Sequence, residues 1–362
     1  MRRARWIIKP KPESTKPVIY HCISRVVNRE FVFGSVEKEQ LRMFMRMYEV
    51  FSGNRVLSYC FMSNHIHLLL EIVPAAPEGL SDEELLRRLR AIHSEAQVAE
   101  VAKELAEARK AVADGLADES RVKAIHARFT YRMHDLSQFM KSFMQRYTQW
   151  HNGAHQRTGR LWEDRFKSVI VESGIAARTM AAYIDLNPVR AGIVADPASY
   201  RWSSYGEAVG GGAKGNGKKA REGLVRACMS HEGAGFEAEK WQEVSRIYRR
   251  AMGLALGRKS GKAEVDAPQR SQTTATNAEE ALAAKDNGTV LPDLGMAAML
   301  QHRVRYFTDG AVIGSKAFVN EAFAAARERF GPRRKDGARK LRGSGAAAAS
   351  VLWSARDLRA RV

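Results

Sequence analysis

The 362-residue chain lacks any apolar run of the roughly 18 residues that a membrane-crossing helix needs, so a helical membrane protein is not expected. Cysteine is scarce: Cys22, Cys60 and Cys228 are the only three, and no CxxC pair occurs among them. That excludes a disulfide framework and a CxxC metal site, and it fits a reducing, cytoplasmic setting. Acidic residues are also short, with 40 Asp and Glu against 59 Lys and Arg, a formal net charge of +19. A surplus of that size asks for a polyanionic partner, either nucleic acid or an anionic membrane surface. The opening MRRARWIIKPKPESTKP is basic but has no apolar stretch of about 7–15 residues, so a secretory signal is not expected. Nucleic acid is the favoured partner, and a membrane is not.

What is present is enough apolar residue for a sizeable core, 45% of the chain. PVIYHCISRVVNREFVF (17–33) is rich in β-branched and aromatic residues and predicts one or two strands. SVEKEQLRMFMRMYEVFS predicts a helix, with Val36, Leu41, Phe44, Met45, Tyr48 and Phe51 near helical spacing, Ser35 as N-cap and Gly53-Asn54 at its end. Val56–Met62 and His65–Val73 read as an antiparallel hairpin turned at Ser63-Asn64. From about 75 to 134 the composition shifts to Ala, Glu, Leu and Arg, which predicts an inserted helical arm of one or two long helices. Another helix is expected over 135–151, then a strand in GRLWEDRFKSVIVES, then a helix in AARTMAAYIDLNPVRAGIV that stops near Pro188. GEAVGGGAKGNGKKAREG (206–223) reads as a linker or flexible loop, and a second polar stretch runs from about 259 to 277.

The residues with chemical potential are few. In NHIHLLLEI, His65 and His67 are two apart, so on a strand they share a face while Ile66 points away. Two imidazoles suit Zn, Mn, Fe, Cu or Ni, yet such spacing alone arises more often by chance than at a metal site, and a metal needs a third ligand. Tyr183 and Asn187, four apart in YIDLNP, share one helical face. An Asn carbonyl is a hard ligand and a phenol is a nucleophile, although a Tyr and an Asn so placed also serve as core and cap. Tyr147 matches the period of Phe139 and Phe143 and reads as core or as a stacking platform. His21 reads by default as packing in the first strand. His151 and His155 flank a loop, and Glu163 and Asp164 read as a surface turn.

These motifs, in this order, resemble the REP-associated tyrosine transposases of the single-tyrosine HUH superfamily. NHIHLLLEI resembles the HUH motif (His, hydrophobic residue, His). LSQFMKSFMQRYTQWHN, GRLWEDRFKS and AAYIDLNPVRAGIV follow it in the family's order, so the likeness spans about residues 17–205 and is interrupted by the arm. The resemblance implies an α+β catalytic domain with a ferredoxin-like antiparallel sheet and packed helices (the HUH endonuclease fold). It implies that His65 and His67, completed by Asn187, bind a divalent metal, Mg²⁺ or Mn²⁺, and that Tyr183 is the nucleophile. Such enzymes cleave single-stranded DNA beside hairpins and form a 5′-phosphotyrosine link. A catalytically silent hairpin-binding regulator and a metal-dependent nuclease using water are the alternatives, and a homodimer is left open.

Arg157, Arg160, Arg165, Lys167 and Arg190 are the candidate DNA contacts, interleaved with aromatic residues as single-strand binding requires. The expected organisation is therefore a basic tail over 1–16 and a catalytic domain over 17–205, with the helical insertion at about 75–134. A linker and weakly helical region over 206–290 and a mainly helical extension over 291–362 follow. That extension ends in the basic RRKDGARKLR stretch and suggests a second DNA-binding unit. A nucleoid-associated, cytoplasmic protein is expected.

Overall fold

A computed structural model describes residues 6–8, 16–210, 217–229, 238–256, 300, 307–308, 311–330, 334–335, 337–340 and 352–355. The polar stretch at 259–277 lies outside the described residues. Six elements set the frame: β1 (Val18–Arg25), α1 (Ser35–Ser52), β2 (Arg55–Phe61), β3 (His65–Ile72), a helix over Leu136–Ala154 and β4 (Lys167–Val171). The strands stand in the order β2-β3-β1-β4 with every neighbouring pair antiparallel. This is the ferredoxin-like βαββαβ arrangement, and the protein is of the α+β class.

The apolar periods explain the elements. α1 buries Leu41, Phe44, Met45, Tyr48 and Phe51 as one stripe and ends at Gly53, whose left-handed φ of 71° releases the chain into β2. Ser35 is the first helical residue rather than the cap; Gly34 precedes it and no side chain caps that end. The Leu136–Ala154 helix is capped by Asp135, whose Oδ1 accepts from the Gln138 amide at 2.8 Å. Alternate residues of the strands then divide between two cores. Tyr20, Cys22, Ile66, Leu68 and Leu70 pack on the face covered by α1 and the Leu136–Ala154 helix. Ile19, Leu69, Val169 and Val171 pack on the opposite face.

The insertion is helical as expected, in three pieces: α2 (Asp82–Leu89), α3 (Glu95–Ala113) and α4 (Ser120–Thr130). A capping box at Ser94 and Gln97 restarts the helix, which is why one long helix does not form. Leu85, Leu89, Val98, Val101 and Leu105 join the core under α1, so the insertion packs on the domain. In chain order the Leu136–Ala154 helix is α5, and α6 (Ile175–Asp185), α7 (Asn187–Arg190), α8 (Ser204–Gly210), α9 (Lys218–Met229) and α10 (Ala238–Leu256) follow.

Three expectations need correction. The 206–223 stretch is not linker throughout, because α8 and α9 occupy its ends. Gly223 of α9 lies so near β2 that a Cβ there would stand 2.4 Å from the Val56 carbonyl oxygen. Small residues at helical spacing (Ala220, Gly223, Ala227) let the helix approach the strand, and the same composition made it read as a loop. The 291–362 region is also not all helix. Beside α11 (Lys316–Ala325) it adds β5 (Val312–Gly314), parallel to β4, then β7 (Trp353–Ala355) and β6 (Arg339–Lys340). The sheet thus has seven strands in the order β2-β3-β1-β4-β5-β7-β6. Strands of two or three residues carry no readable period, and their partners are remote in sequence. Finally, the 1–16 tail is docked at Trp6–Ile8: Trp6 is buried edge-on against Phe330 at 5.4 Å, and the Tyr20 hydroxyl donates to the Ile8 carbonyl at 2.5 Å. Among the described residues, no helix is long and apolar enough to cross a membrane.

Candidate active site

β3 puts His65 and His67 on the sheet face opposite α1, with ring centroids 5.0 Å apart. β1, beside it, contributes His21, whose Nε2 lies 2.9 Å from His67 Nδ1 with the two rings stacked. α6 crosses the same face and delivers Tyr183, its ring centroid 6.1 Å from His67 and 6.0 Å from His21. Tyr183, remote in sequence, is therefore brought against His67 of the histidine pair. His21, read as packing, touches both His67 and Tyr183; its period-two position between Ile19 and Ile23 was the signal available for finding it.

Burial shapes the charge state of the histidines. It holds His65 down at about 4, with Arg25 adding to the effect. It holds His67 well below the ordinary histidine range, with His21, His65 and Arg190 adding repulsion. Both rings are neutral at pH 7, the form that ligates metals. Neither Nε2 is engaged in the hydrogen bonds of these rings, which run through Nδ1. The pair thus fits a divalent cation in donor type and protonation. Among the described residues no group of three or more His, Cys, Asp or Glu is arranged to hold an ion.

Asn187 opens α7, and its Nδ2 donates to the carbonyls of Tyr183 at 3.3 Å and Ile184 at 3.1 Å. It closes the end of α6 and leaves Oδ1 as its remaining polar atom. Arg190 was grouped with the phosphate contacts. The structure sets its guanidinium over the Tyr183 ring, 4.3 Å from the centroid, and its Nη2 donates to the Tyr183 carbonyl. Burial pulls Arg190 below the ordinary arginine range, opposed by Tyr183 and Cys60. Phe307 stacks on Tyr183, with centroids 4.7 Å apart and planes at 17°, and its carbonyl oxygen lies 2.9 Å from His21 Nδ1. No feature of the sequence around Phe307 announced that role.

The helix that carries Tyr183 is anchored from below by Asp185. Its carboxylate is buried and accepts from the Tyr205 amide at 2.9 Å and the Tyr248 hydroxyl at 2.7 Å. Burial pushes this carboxyl up to about 7, with the hydrogen bonds opposing the shift. Between the ordinary value of 3.8 and about 7, the folded chain keeps a proton that the unfolded chain has released. The contribution is full below that window and is lost as pH rises through it, by up to about 1.4 kcal/mol for each pH unit. Urea midpoints at pH 4.5 and 7.5 check this: the Asp185→Asn midpoint should gain on the wild-type midpoint as pH rises, because the buried neutral histidines add the same rise to both proteins. Equal pH dependence of the two proteins contradicts it.

Arg160 and Arg165 are exposed and Arg157 is half-buried on the segment between α5 and β4, and the exposed Lys167 opens β4. Arg160 lines an open groove with Gln145, Gln149, Asn152 and Trp162. The segment is tied to the sheet end where His65 emerges: the Val27 amide donates to Leu161 at 2.9 Å, and Glu163 to Arg25, the register partner of His65, at 2.8 Å. Tyr147 is core, with its hydroxyl on the Glu37 carbonyl at 3.3 Å. His155 lies 3.1 Å from Glu37 and beside His151, and Asp164 accepts from the Arg165 amide in a turn.

The class is therefore an α+β protein with a ferredoxin-like sheet, a histidine pair on one face and a tyrosine helix across it. Residues 14–78 match the model of the transposase IS200 like family, a stretch that carries His21, His65 and His67 and ends before Tyr183. No curated protein matches the chain. Among solved structures, a REP-associated tyrosine transposase bound to a REP hairpin aligns at 12% identity with a TM-score of 0.35, covering 66% of this chain and 96% of that one.

Proposed function

We propose that the chain is a single-tyrosine DNA transposase that cuts and rejoins single-stranded DNA beside hairpins through Tyr183. The observation that carries this reading is the packing of Tyr183 against His67, on the face that also holds His65, with a fold segment matching a transposase family. In the reaction Tyr183 Oη attacks phosphorus, the bond from phosphorus to O3′ breaks, and a 5′-phosphotyrosine and a free 3′-hydroxyl result. The phenol loses its proton and the leaving oxygen gains one, so charge is conserved. Arg190, over the ring, is placed to stabilise the negative charge that develops on the phenol. Covalent capture keeps the phosphodiester energy for rejoining to another 3′-hydroxyl. A divalent cation, Mg²⁺ or Mn²⁺, held by His65 and His67 with Asn187 Oδ1 as third donor, would supply Lewis-acid polarisation of the phosphate. Asn187 Nδ2, bonded to the end of α6, orients that amide.

The test is an SDS-resistant protein–DNA adduct on single-stranded hairpin DNA with Mg²⁺ or Mn²⁺. Cleavage without an adduct favours a nuclease using water. Binding without cleavage favours a regulator. For the DNA surface, replacing Arg160, Arg165 and Lys167 together by Ala should weaken binding across sequences. It should also flatten the slope of log affinity against log salt by about 2, taking roughly 0.7 for each single-strand phosphate contact. An unchanged slope removes this segment from the interface.

A further inference from the structure

The reading that His65 and His67 hold a cation requires each ring to present a bare nitrogen to one point. Spacing on β3 gives them a common face but not a common tautomer. Two hydrogen-bond chains, each starting on a backbone carbonyl, supply it.

The first runs from Phe307. A carbonyl oxygen only accepts, so the 2.9 Å contact to His21 Nδ1 puts the proton on that nitrogen. In the neutral ring His21 Nε2 is then bare. It lies 2.9 Å from His67 Nδ1, which must carry the single proton between them, because two N–H groups cannot face each other at that distance. His67 Nε2 is left as a lone pair. The second chain runs from Arg29, whose carbonyl accepts from Asn64 Nδ2 at 3.1 Å. That fixes which way the amide faces and turns Oδ1 to His65 Nδ1 at 2.7 Å. His65 Nδ1 therefore carries the proton and its Nε2 is the lone pair.

The Asn64 backbone is also held, its carbonyl accepting from the Val26 amide at 2.9 Å. Asn28 and Arg29, neither of them glycine, sit in the left-handed region at φ 55° and 57°, just where the Arg29 carbonyl must be aimed. Strained backbone of this kind persists where the surrounding structure holds it, often at functional sites.

We infer that His21 and Asn64 are positioning residues that lock His67 and His65 in the tautomers that offer both Nε2 atoms to one cation. The inference rests on the metal reading above. It extends the site to β1, to the turn before the histidine pair and, through Phe307, to the C-terminal region. It also accounts for a third histidine that touches His67 without standing among the ligands.

The experiment is long-range ¹⁵N NMR of the histidine rings in the full, metal-free chain, followed by Mn²⁺ titration read by the EPR signal of the free ion. In the wild type, His65 and His67 should both appear protonated at Nδ1. His21→Leu should leave His67 in mixed tautomers and weaken Mn²⁺ binding by about 10–100-fold, the usual effect of losing such a partner. His21→Gln should restore both readouts, because an amide can donate to Phe307 and accept from His67. Asn64→Ala, at a half-buried turn, should disturb the His65 tautomer alone. Protonation of either ring at Nε2 in the wild type, or unchanged tautomer and affinity in both His21→Leu and Asn64→Ala, overturns the inference. A wild type with the stated tautomers that binds no Mn²⁺ overturns the metal reading and leaves the two hydrogen-bond chains standing.

Discussion

Tyr183→Phe should form no SDS-resistant adduct with hairpin DNA, a loss of at least roughly 10³-fold in cleavage, while the protein still folds and binds DNA. The substitution removes one oxygen and leaves the ring, so its stacking on Phe307 and its contacts with His67 and Arg190 persist. Melting temperature and hairpin affinity within error of wild type, together with the lost adduct, would assign the defect to chemistry. Tyr147→Phe is the matched control. Its hydroxyl reaches only the Glu37 carbonyl from inside the other core, and adduct formation should survive it. An adduct in Tyr183→Phe that disappears in Tyr147→Phe would reverse the assignment.

The second large effect concerns the cation. Stripping divalent ions with EDTA should stop cleavage, and Mn²⁺ or Mg²⁺ should restore it in the wild type. His65→Ala should resist restoration at ion concentrations that saturate the wild type. Loss of a partner outside the ligand set costs about 10–100-fold in affinity or activity, and loss of a ligand should exceed the upper end. His65 suits this test better than His67 because it is only partly buried, whereas His67 lies within the core against His21. Full activity of His65→Ala at limiting Mn²⁺ would exclude the pair as a metal site.

How far the sequence carried the reading varied with the range of the interaction concerned. Short runs of apolar and β-branched residues placed β1 to β3, which are buried on both faces, and helical spacing placed α1 and α5, because each signal lies within one short segment. His65 and His67 were legible for the same reason, and Tyr183 through its place in the YIDLNPVRAG stretch. Arg190 was seen as one positive charge among many, since nothing local shows that it folds back over a ring one helix turn and more away. Phe307, Tyr248 and α9 were not legible as parts of the site or its support. Their partners, His21, Asp185 and β2, lie far off in sequence, and pairings of that kind leave no periodic mark. For the same reason, removing residues 206–362 would take away buried core rather than detach a separate DNA-binding unit.

One bond decides whether this protein is a tyrosine transposase, that between Tyr183 Oη and a 5′-phosphate. Trapping the adduct, digesting the protein and DNA, and sequencing the nucleotide-bearing peptide by mass spectrometry reads that bond directly. The account predicts the added mass on Tyr183, in the peptide that contains AAYIDLNPVR. The same mass on Tyr147 or any other residue, or cleaved DNA with no modified peptide, would contradict it.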